Sequence, residues 1–343
     1  MSQATNTQRK MDNMKKFLTM VLLAALLPLL ISCSSGTNPP PSSGQNAAKI
    51  PEIGIIQLVE HPALTAAREG FIAALVDNGF KDGENVKLNI QVSSGEQSNL
   101  ATISDQFVSN KVDLILAIAT PAAVSIAGKT TTIPILGTAI TDYVVAGLAD
   151  TNERPGRNIS GTSDMNPVRE QIDMIFKFAP NAKTVGFVYS SGEDNSRIQI
   201  DIAKAHADSI GLAWKEITVV SSADVQQAVE SIVRDVDVLY IPGDNVLAST
   251  MGLVSNVTMQ SKTPVIGAEV GQVESGALAT YGINYYNLGY ETGEMAVQIL
   301  REGKNPAEMP IQFSSNLDYS VNGNVADAIG VAIPEEFADS VIR

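Results

Sequence analysis

Short runs rich in valine and isoleucine alternate with segments of helical periodicity along most of this chain, and this alternation constrains its fold more than any other feature. The predicted strands cover residues 53–58, 86–92, 114–119, 133–138, 184–189, 213–219, 236–241 and 265–267. The predicted helices cover residues 66–77, 100–108, 171–178, 198–209 and 225–233. Strands that are separated by helices usually pair in parallel and bury both faces of their sheet. The sequence therefore predicts an α/β fold with doubly wound parallel sheets.

One stretch of the chain echoes another. "VDLILAIATPAAVSI" at Val112–Ile126 is matched by "VDVLYIPGDNVLAST" at Val236–Thr250. Each is followed by a threonine, a proline and a further apolar run, "TIPILGTA" in the first copy and "TPVIGAE" in the second. Any two strand–helix–strand units share some of this pattern, but the order of the parts is the same in both copies. We interpret the echo as two similar α/β lobes in tandem.

The first 33 residues have the pattern of an export signal. Basic residues precede the almost wholly apolar run Phe17–Ile31, which is short for a membrane span and suits the core of a signal peptide. The run leads into "LISC", which resembles the lipobox of bacterial lipoproteins, whose cysteine carries the lipid. Cys33 is the only cysteine in the chain, so a lipid anchor is a better explanation for it than a disulfide. Residues 34–48 are rich in serine, proline and glycine and are predicted to be a flexible tether.

The charge of the chain excludes one class of partner. Without its first 33 residues, which hold four basic residues and one acidic residue, the chain has a net charge of (23 − 4) − (37 − 1) = −17. An acidic surface repels phosphate backbones, so nucleic acid is not expected as a partner.

Polar residues follow several of the predicted strands at their carboxyl ends, where parallel sheets bind ligands. Some of these residues are also good helix starts, and the simplest interpretation of any single one is a helix cap. Their common placement at one edge of the sheets favours a cleft. The candidate site residues are Glu60, His61, Thr120, Pro121, Ala122, Thr141, Asp142, Ser190, Ser191, Glu193, Asn195, Ser196, Asp244, Asn245 and Glu269.

The sequence lacks the parts that catalysis needs. It has no nucleophile elbow, no zinc-protease helix, no phosphate-binding loop and no dinucleotide fingerprint. Its two histidines, His61 and His206, are far apart and have no cysteine partners, so no metal or cofactor is predicted. A carboxylate pair of the glycosidase kind, Glu60 with Asp142 or Glu269, stays open as an alternative.

Binding needs only groups that are present. Backbone N–H groups at helix starts would hold the carboxylate of a small zwitterion, and an acidic side chain would hold its ammonium. We expect Asp244 to be that partner, so an Asp244→Ala substitution would weaken binding. Tyr143, Tyr281, Tyr285 and Tyr286 are candidates for packing on an apolar side chain of the ligand, or ordinary core residues.

Taken together, the motifs resemble one protein family. "EHPAL", "ATPAA", "TAITDYVVAGL", "GTSD", "YSSGEDNS", "PGDN" and "GALATYGINYYNLGYETGEMAVQIL" follow each other across the chain from about Ile50 to its end. In this order they resemble the substrate-binding lipoproteins of ABC transporters for tryptophan, tyrosine and related ligands. The chain differs from the commoner "YNPGEANS" and "PTDN" at "YSSGEDNS" and "PGDN", so we expect the shape of the pocket to differ there.

The resemblance implies a type I periplasmic-binding-protein fold, with a hinge of three crossovers and an aromatic amino acid in the cleft. It implies a first lobe of residues 49–161 and 280–310, which includes a helix near Leu288–Arg301, and a second lobe of residues 162–279 and 311–343. The candidate site residues match the cleft motifs of the family. Implied partners are a membrane permease and an ATPase, and the implied place is the cell envelope, with the lipid anchor in the membrane. A ligand-sensing domain of a membrane receptor would share this fold and stays open as an alternative, as does a secreted hydrolase.

Overall fold

A computed structural model of the protein describes residues 49–314 and 317–343. The chain divides there into two open sheets, and we define the two lobes by these sheets. The strands are β1 (Glu52–Gln57), β2 (Lys87–Val92), β3 (Leu114–Ile118), β4 (Ile135–Ile140), β5 (Ile159–Ser163), β6 (Thr184–Ser190), β7 (Ala213–Val219), β8 (Val238–Ile241), β9 (Val265–Gly267), β10 (Ala279–Ile283), β11 (Gln312–Phe313), β12 (Leu317–Asn322) and β13 (Val341–Ile342).

Helices cover the faces of both sheets. They are α1 (Pro62–Asp77), α2 (Gln97–Asn110), α3 (Thr120–Ala127), α4 (Val168–Phe178), α5 (Asp194–Ile210), α6 (Val225–Ile232), α7 (Asn245–Ser249), α8 (Met251–Ser261), α9 (Val270–Glu274), α10 (Tyr285–Glu302) and α11 (Gly323–Ile329). Short 3₁₀ turns lie at Ser222–Asp224, Pro306–Glu308 and Glu335–Ser340.

The first five strands of each sheet share one topology, which confirms the predicted pair of similar lobes. The first has the strand order β2-β1-β3-β4-β5-β11, and the second has β7-β6-β8-β9-β10-β12-β13. The repeated Val-Asp step has the same role in both. The Asp113 carboxylate accepts the backbone N–H of Glu52 at 2.9 Å, and the Asp237 carboxylate accepts the backbone N–H groups of Lys183 and Thr184 at 2.8 and 2.9 Å. Each aspartate therefore fastens its strand to the start of the neighbouring strand.

All pairs of the first sheet are parallel, as predicted, whereas the second sheet includes one antiparallel pair, β10 with β12. The side chains of the second sheet alternate between two cores. In β8, Val238 and Tyr240 pack with helices α4 and α5, and Leu239 and Ile241 pack with α6 to α8. Burial on both faces is what produces the unbroken apolar runs in the sequence.

Helices α4 and α10 follow the fifth strand of each sheet and pack on the opposite lobe. After β5 the chain passes to α4, which is part of the second core, and after β10 it passes to α10, which is part of the first core. Helix α10 lies very close to α1, because Gly70, Gly289 and Gly293 leave no room there for a Cβ atom. Strand β11 belongs to the first sheet, and the next strand, β12, belongs to the second.

These passages set lobe limits that differ slightly from the proposed ones. Strand β5 spans the proposed 161/162 boundary and belongs to the first sheet. Strand β10 spans the proposed 279/280 boundary and belongs to the second sheet, and β11 extends the first sheet to Phe313.

The strand and helix predictions did not include β5, β10 to β13, α9 or α11. The echo implied a helix after each of its two strands, where α3 and α7 lie, but the predicted helix ranges did not cover them. The predicted export signal, Cys33 and the tether lie outside the described residues. Among the residues that the structure describes, no helix is both long and apolar enough to cross a membrane.

Candidate functional site

The two lobes meet at His61, which lies at the carboxyl end of β1 and immediately precedes α1. Its side chain makes no cap on the helix. The ring instead reaches the second lobe, where Nε2 is 3.3 Å from Oδ1 of Asn245 and Nδ1 is 3.9 Å from Oε1 of Glu269. The side chains of His61 and Glu269 are both 3% exposed. His61 therefore closes the space between the lobes.

One carboxyl oxygen of Glu269 is buried and is free to accept a hydrogen bond. It follows β9 and immediately precedes α9, yet its side chain does not cap that helix. Its Oε1 atom has no hydrogen-bond partner within the protein, and neither does Nδ1 of His61. A buried carboxyl oxygen without a partner is costly, and in native structures it points to a ligand, a water molecule or a proton.

Asp164 and Tyr285 complete this cluster where the chain crosses between the lobes. The Asp164 carboxylate accepts hydrogen bonds from Oγ1 of Thr141 at 3.0 Å and from the hydroxyl of Tyr285 at 2.7 Å. Asp164 is 6% exposed. It was not among the predicted site residues, although it is the last residue of the "GTSD" motif and follows directly on β5.

Burial sets the protonation of this cluster. It raises the pKa of Glu269 from 4.5 to about 8, and the nearby negative charge of Asp164 adds to the effect. Burial also raises the pKa of Asp164. The same desolvation lowers the pKa of His61 from 6.5 to about 4, so the ring is neutral at pH 7. The closed cleft thus contains buried carboxyl groups and no cationic partner among the described residues that line it.

A second network lies wholly within the second lobe. The Asp244 carboxylate accepts hydrogen bonds from the backbone N–H groups of Leu247 at 2.9 Å and Ser190 at 2.6 Å, and from the hydroxyl of Ser196 at 2.7 Å. Its oxygens are therefore satisfied by protein groups, which gives this aspartate a structural role in addition to its place in the cleft wall.

Glu193 extends this network. It accepts hydrogen bonds from the backbone and side chain of Asn245 at 3.1 and 2.6 Å, and from the side chain of Asn195 at 3.0 Å. Burial and the neighbouring charge of Asp244 raise the pKa of Glu193 to about 7. Burial also raises the pKa of Asp244, while its hydrogen bonds act in the opposite direction. The Glu193 carboxylate therefore holds Asn245 in the position where it meets His61.

The backbone of the first lobe is strained at two points beside the cleft. Ala119 has φ +84° and ψ +149°, a conformation that residues with a side chain rarely adopt, and it directly precedes Thr120 at the start of α3. Thr120 is 7% exposed, and its hydroxyl has no partner in the protein. Ala139, with φ +57°, lies where the register between β4 and β5 shifts. Ala139 and Thr141 both line the cleft.

The space between the lobes has two parts. The inner cavity has a volume of only about 10 Å³, which is about what the centre of one water molecule needs. It is enclosed by His61, Leu64, Ala139, Thr141, Asp164, Asn195, Gly243, Asp244, Asn245, Glu269 and Tyr285. A groove of about 370 Å³ adjoins it at Asn245, with Leu58, Val59 and Pro121 on the first lobe and Glu193 and Val246 on the second. The lobes are therefore closed, and a larger molecule enters the inner part only when they separate.

A larger groove of about 680 Å³ runs along α1, α9 and the carboxyl-terminal strands. Its carboxylates, Glu274, Asp318 and Asp339, are exposed to solvent, and it reaches neither His61 nor Glu269. We place the functional site at the interlobe cleft, because an oxygen of the Glu269 carboxyl group and Nδ1 of His61 are both buried there without a hydrogen-bond partner.

The structure brings only some of the predicted site residues to this cleft. Those that line the inner cavity or the adjoining groove are His61, Pro121, Thr141, Ser190, Glu193, Asn195, Asp244, Asn245 and Glu269. Thr120 lies beside the groove residue Pro121, and Ser196 supports Asp244 from behind. Contact of any of these residues with a ligand stays a prediction.

Four predicted residues are engaged elsewhere. Glu60 forms an ion pair with Arg68 at 2.8 Å, and its side chain is 52% exposed. Asp142 accepts the backbone N–H groups of Val144 and Val145, each at 2.9 Å, and so caps a turn. Ser191 donates to the backbone of its own lobe, and Ala122 is buried in the core. The sequence places all four after strands, but it does not show in which direction their side chains point.

Of the four tyrosines, Tyr285 alone lines the inner cavity. Tyr143 is a core residue whose hydroxyl donates to backbone carbonyls, Tyr281 stacks on Tyr319 with ring centroids 4.3 Å apart, and Tyr286 is 43% exposed. His206 pairs with Asp173 at 2.7 Å on the second lobe. No group of three or more potential metal ligands occurs in residues 49–314 and 317–343.

Comparison with known proteins agrees with this geometry. Residues 52–341 match the family model described as "ABC transporter substrate binding protein". A "Tyrosine-binding protein" of Clostridioides difficile is 40% identical over 322 residues, which are 92% of each chain.

Two solved structures share this fold, one of them with a bound ligand and the other ligand-free and open. An ABC domain from Streptococcus pneumoniae in complex with L-Trp has a TM-score of 0.82 at 37% identity, over 85% of this chain and 99% of that one. A ligand-free, open substrate-binding protein from Clostridium difficile has a TM-score of only 0.67 at 46% identity, over 86% of this chain and 99% of that one. Because the more similar sequence superposes less well, the difference indicates a different arrangement of the lobes, which fits the closed cleft described above. This chain has the type I periplasmic-binding-protein fold and belongs to the family of ABC transporter substrate-binding proteins.

Proposed function

We propose that the protein is the extracytoplasmic solute-binding component of an ABC importer and that it holds an aromatic amino acid between its lobes without chemically changing it. The observation that carries this proposal is the unpartnered oxygen of Glu269, which is buried where the two lobes meet. The names of the relatives, which bind tyrosine and L-Trp, support the ligand class.

The ammonium group of the ligand would pair with Glu269. This carboxyl group has a free acceptor atom, whereas the acceptors of Asp244 are occupied by protein donors. Asp164 adds negative charge to the same cavity. A bound ammonium would replace the proton that the closed cleft otherwise needs, because an opposite charge nearby lowers the pKa of a buried carboxyl.

The carboxylate of the ligand would lie at the start of α3. The Thr120 hydroxyl is buried there without a partner, and the first turn of a helix presents free backbone N–H groups to an anion. The aromatic ring would occupy the adjoining groove, whose apolar walls come from Leu58, Val59, Pro121 and Val246.

Titration calorimetry tests the ligand class. We expect purified protein to bind at least one of L-tryptophan, L-tyrosine and L-phenylalanine, with a negative heat-capacity change as the ring leaves water. N-acetyl-L-tryptophan, which lacks the ammonium, is the matched control and is expected not to bind. A response to another metabolite, with no response to any aromatic amino acid, would contradict the proposed ligand.

The same proposal includes a lipid anchor at Cys33, supported by the "LISC" motif at the end of an apolar run. We expect that the protein partitions into the detergent phase of a Triton X-114 extract and that the Cys33→Ser variant partitions into water. One acyl chain alone binds membranes weakly, so stable anchoring needs more than one. Equal partitioning of the two proteins would remove Cys33 as the anchor.

A further inference from the structure

The two lobes approach each other closely at Gly271. An ideal Cβ atom built on Gly271 would lie 3.1 Å from Cβ of Pro62 and 3.2 Å from the backbone nitrogen of Ala63. Gly271 is in α9 of the second lobe, and Pro62 and Ala63 begin α1 of the first lobe. The first turns of these two helices therefore lie against each other with no side chain between them.

This contact is connected directly to the cleft. Gly271 comes two residues after Glu269, and Ala63 comes two residues after His61. In each lobe, the two residues lie on the same short connection between the end of a strand and the first turn of the next helix. Bringing Gly271 onto Ala63 therefore also brings Glu269 within 3.9 Å of His61.

The local conformation does not require glycine at this position. Gly271 is not among the residues with positive φ, and it lies in the first turn of a helix, a backbone conformation that any residue with a side chain can adopt. The close approach of the other lobe is the physical reason that the structure gives for a residue without a side chain.

We propose that Gly271 is a positioning residue that sets how far the lobes close on the ligand. A side chain at this position would hold the lobes apart, so that both walls of the cleft could not contact one ligand at once. This inference rests on the proposed function, because it concerns the same cleft.

Gly252 provides a matched control. It is the second residue of α8 in the same lobe, as Gly271 is the second residue of α9, but a Cβ atom built on Gly252 meets nothing within 4 Å. The experiment compares the wild type with Gly271→Val and Gly252→Val. Calorimetry measures affinity for the amino acid that binds best, and small-angle X-ray scattering measures the radius of gyration with and without it.

We expect Gly271→Val to bind about tenfold more weakly or worse, since overpacking a close contact is costly. Its radius of gyration at saturating ligand should stay above that of the wild type, whereas Gly252→Val should follow the wild type in both measurements. Gly271→Ala should shift both quantities in the same direction by less, and it guards against a valine variant that folds poorly.

Wild-type affinity and compaction in Gly271→Val would overturn the inference while leaving the proposed function intact. A wild type that binds no amino acid would instead overturn the proposed function. In that case, equal radii of gyration of the ligand-free wild type, Gly252→Val and Gly271→Val would overturn this inference as well.

Discussion

The Glu269→Gln variant is expected to bind its amino acid at least about 30-fold more weakly than the wild type, while its ligand-free form unfolds at no lower denaturant concentration at pH 8. Removing one partner of a buried charge pair costs about 2–5 kcal/mol, and about 1.4 kcal/mol corresponds to a factor of ten. The ligand-free protein loses no ion pair, because the imidazole 3.9 Å from Glu269, that of His61, has a pKa of about 4 and is neutral at pH 8. Calorimetry and urea unfolding measure the two quantities on the same preparation.

The pH dependence separates this role from a general loss of packing. The pKa of Glu269 is about 8 in the closed form against an ordinary value of 4.5, so the closed form binds the proton more tightly. Its contribution to the stability of the ligand-free closed form is complete below pH 4.5 and is lost as the pH rises through about 8. The Gln variant has no such group, so its unfolding free energy should fall less over this range.

Other buried groups must be considered in the same titration. Burial also raises the pKa of Asp164 and of Asp244, which therefore act in the same direction as Glu269 and are retained in both proteins. Glu193, with a pKa of about 7, acts in the same direction and is retained in both proteins. His61, with a pKa of about 4, acts in the opposite direction, since the closed form loses stability as the pH falls from 6.5 toward 4. The comparison is therefore cleanest from pH 6.5 to 8. Parallel curves for the two proteins in this window would remove Glu269 as the buried proton acceptor.

The Asp244→Ala variant is expected to lose about 2–4 kcal/mol of unfolding free energy, in addition to any loss of ligand affinity. The substitution leaves the backbone N–H groups of Ser190 and Leu247 buried without an acceptor, and each such group costs about 1–3 kcal/mol. The sequence suggested Asp244 as the ammonium partner, but its oxygens are already engaged within the second lobe. Urea unfolding of the ligand-free protein measures the effect.

Asp142→Ala is the matched control for this substitution. Asp142 also accepts two backbone N–H groups, at 2.9 Å each, but these bonds are exposed and water can replace the lost acceptor. We expect its loss to stay below about 1 kcal/mol. Similar losses for the two variants would mean that burial of the Asp244 network contributes little to stability.

The strands and helices that could be predicted are those whose burial produces a recognisable local pattern of apolar residues in the sequence. Strand β3 is apolar throughout, and β1 is apolar between its terminal residues Glu52 and Gln57; both were predicted within one residue. Strand β5 was missed because its buried Ser160 and Thr162 look like a loop in the sequence. Their hydroxyls bond to Met309 and Thr292, which lie 149 and 130 residues further along the chain. No local pattern carries that information.

The same limit applies to the site. A strand end predicts that a residue is near the cleft, and His61, Asn245 and Glu269 were found in this way. The direction in which a side chain points depends on the partners that are within its reach. Glu60, for example, pairs with Arg68 at the surface instead of facing the cleft. Asp164 was missed together with its strand, since the signal for a strand-end carboxylate needs the strand to be recognised first.

The exchange of helices between the lobes affects how the chain folds. The first sheet obtains its covering helix α10 and its edge strand β11 only near residue 313, after the whole second sheet except β12 and β13 has been made. The half of the molecule that begins first is thus finished almost last, and its contacts span most of the chain. Such long-range pairing makes folding slow and ties both halves into one cooperative event. A chain that leaves the cell before it folds would not be delayed by this requirement, because all of its residues would already be on the same side of the membrane.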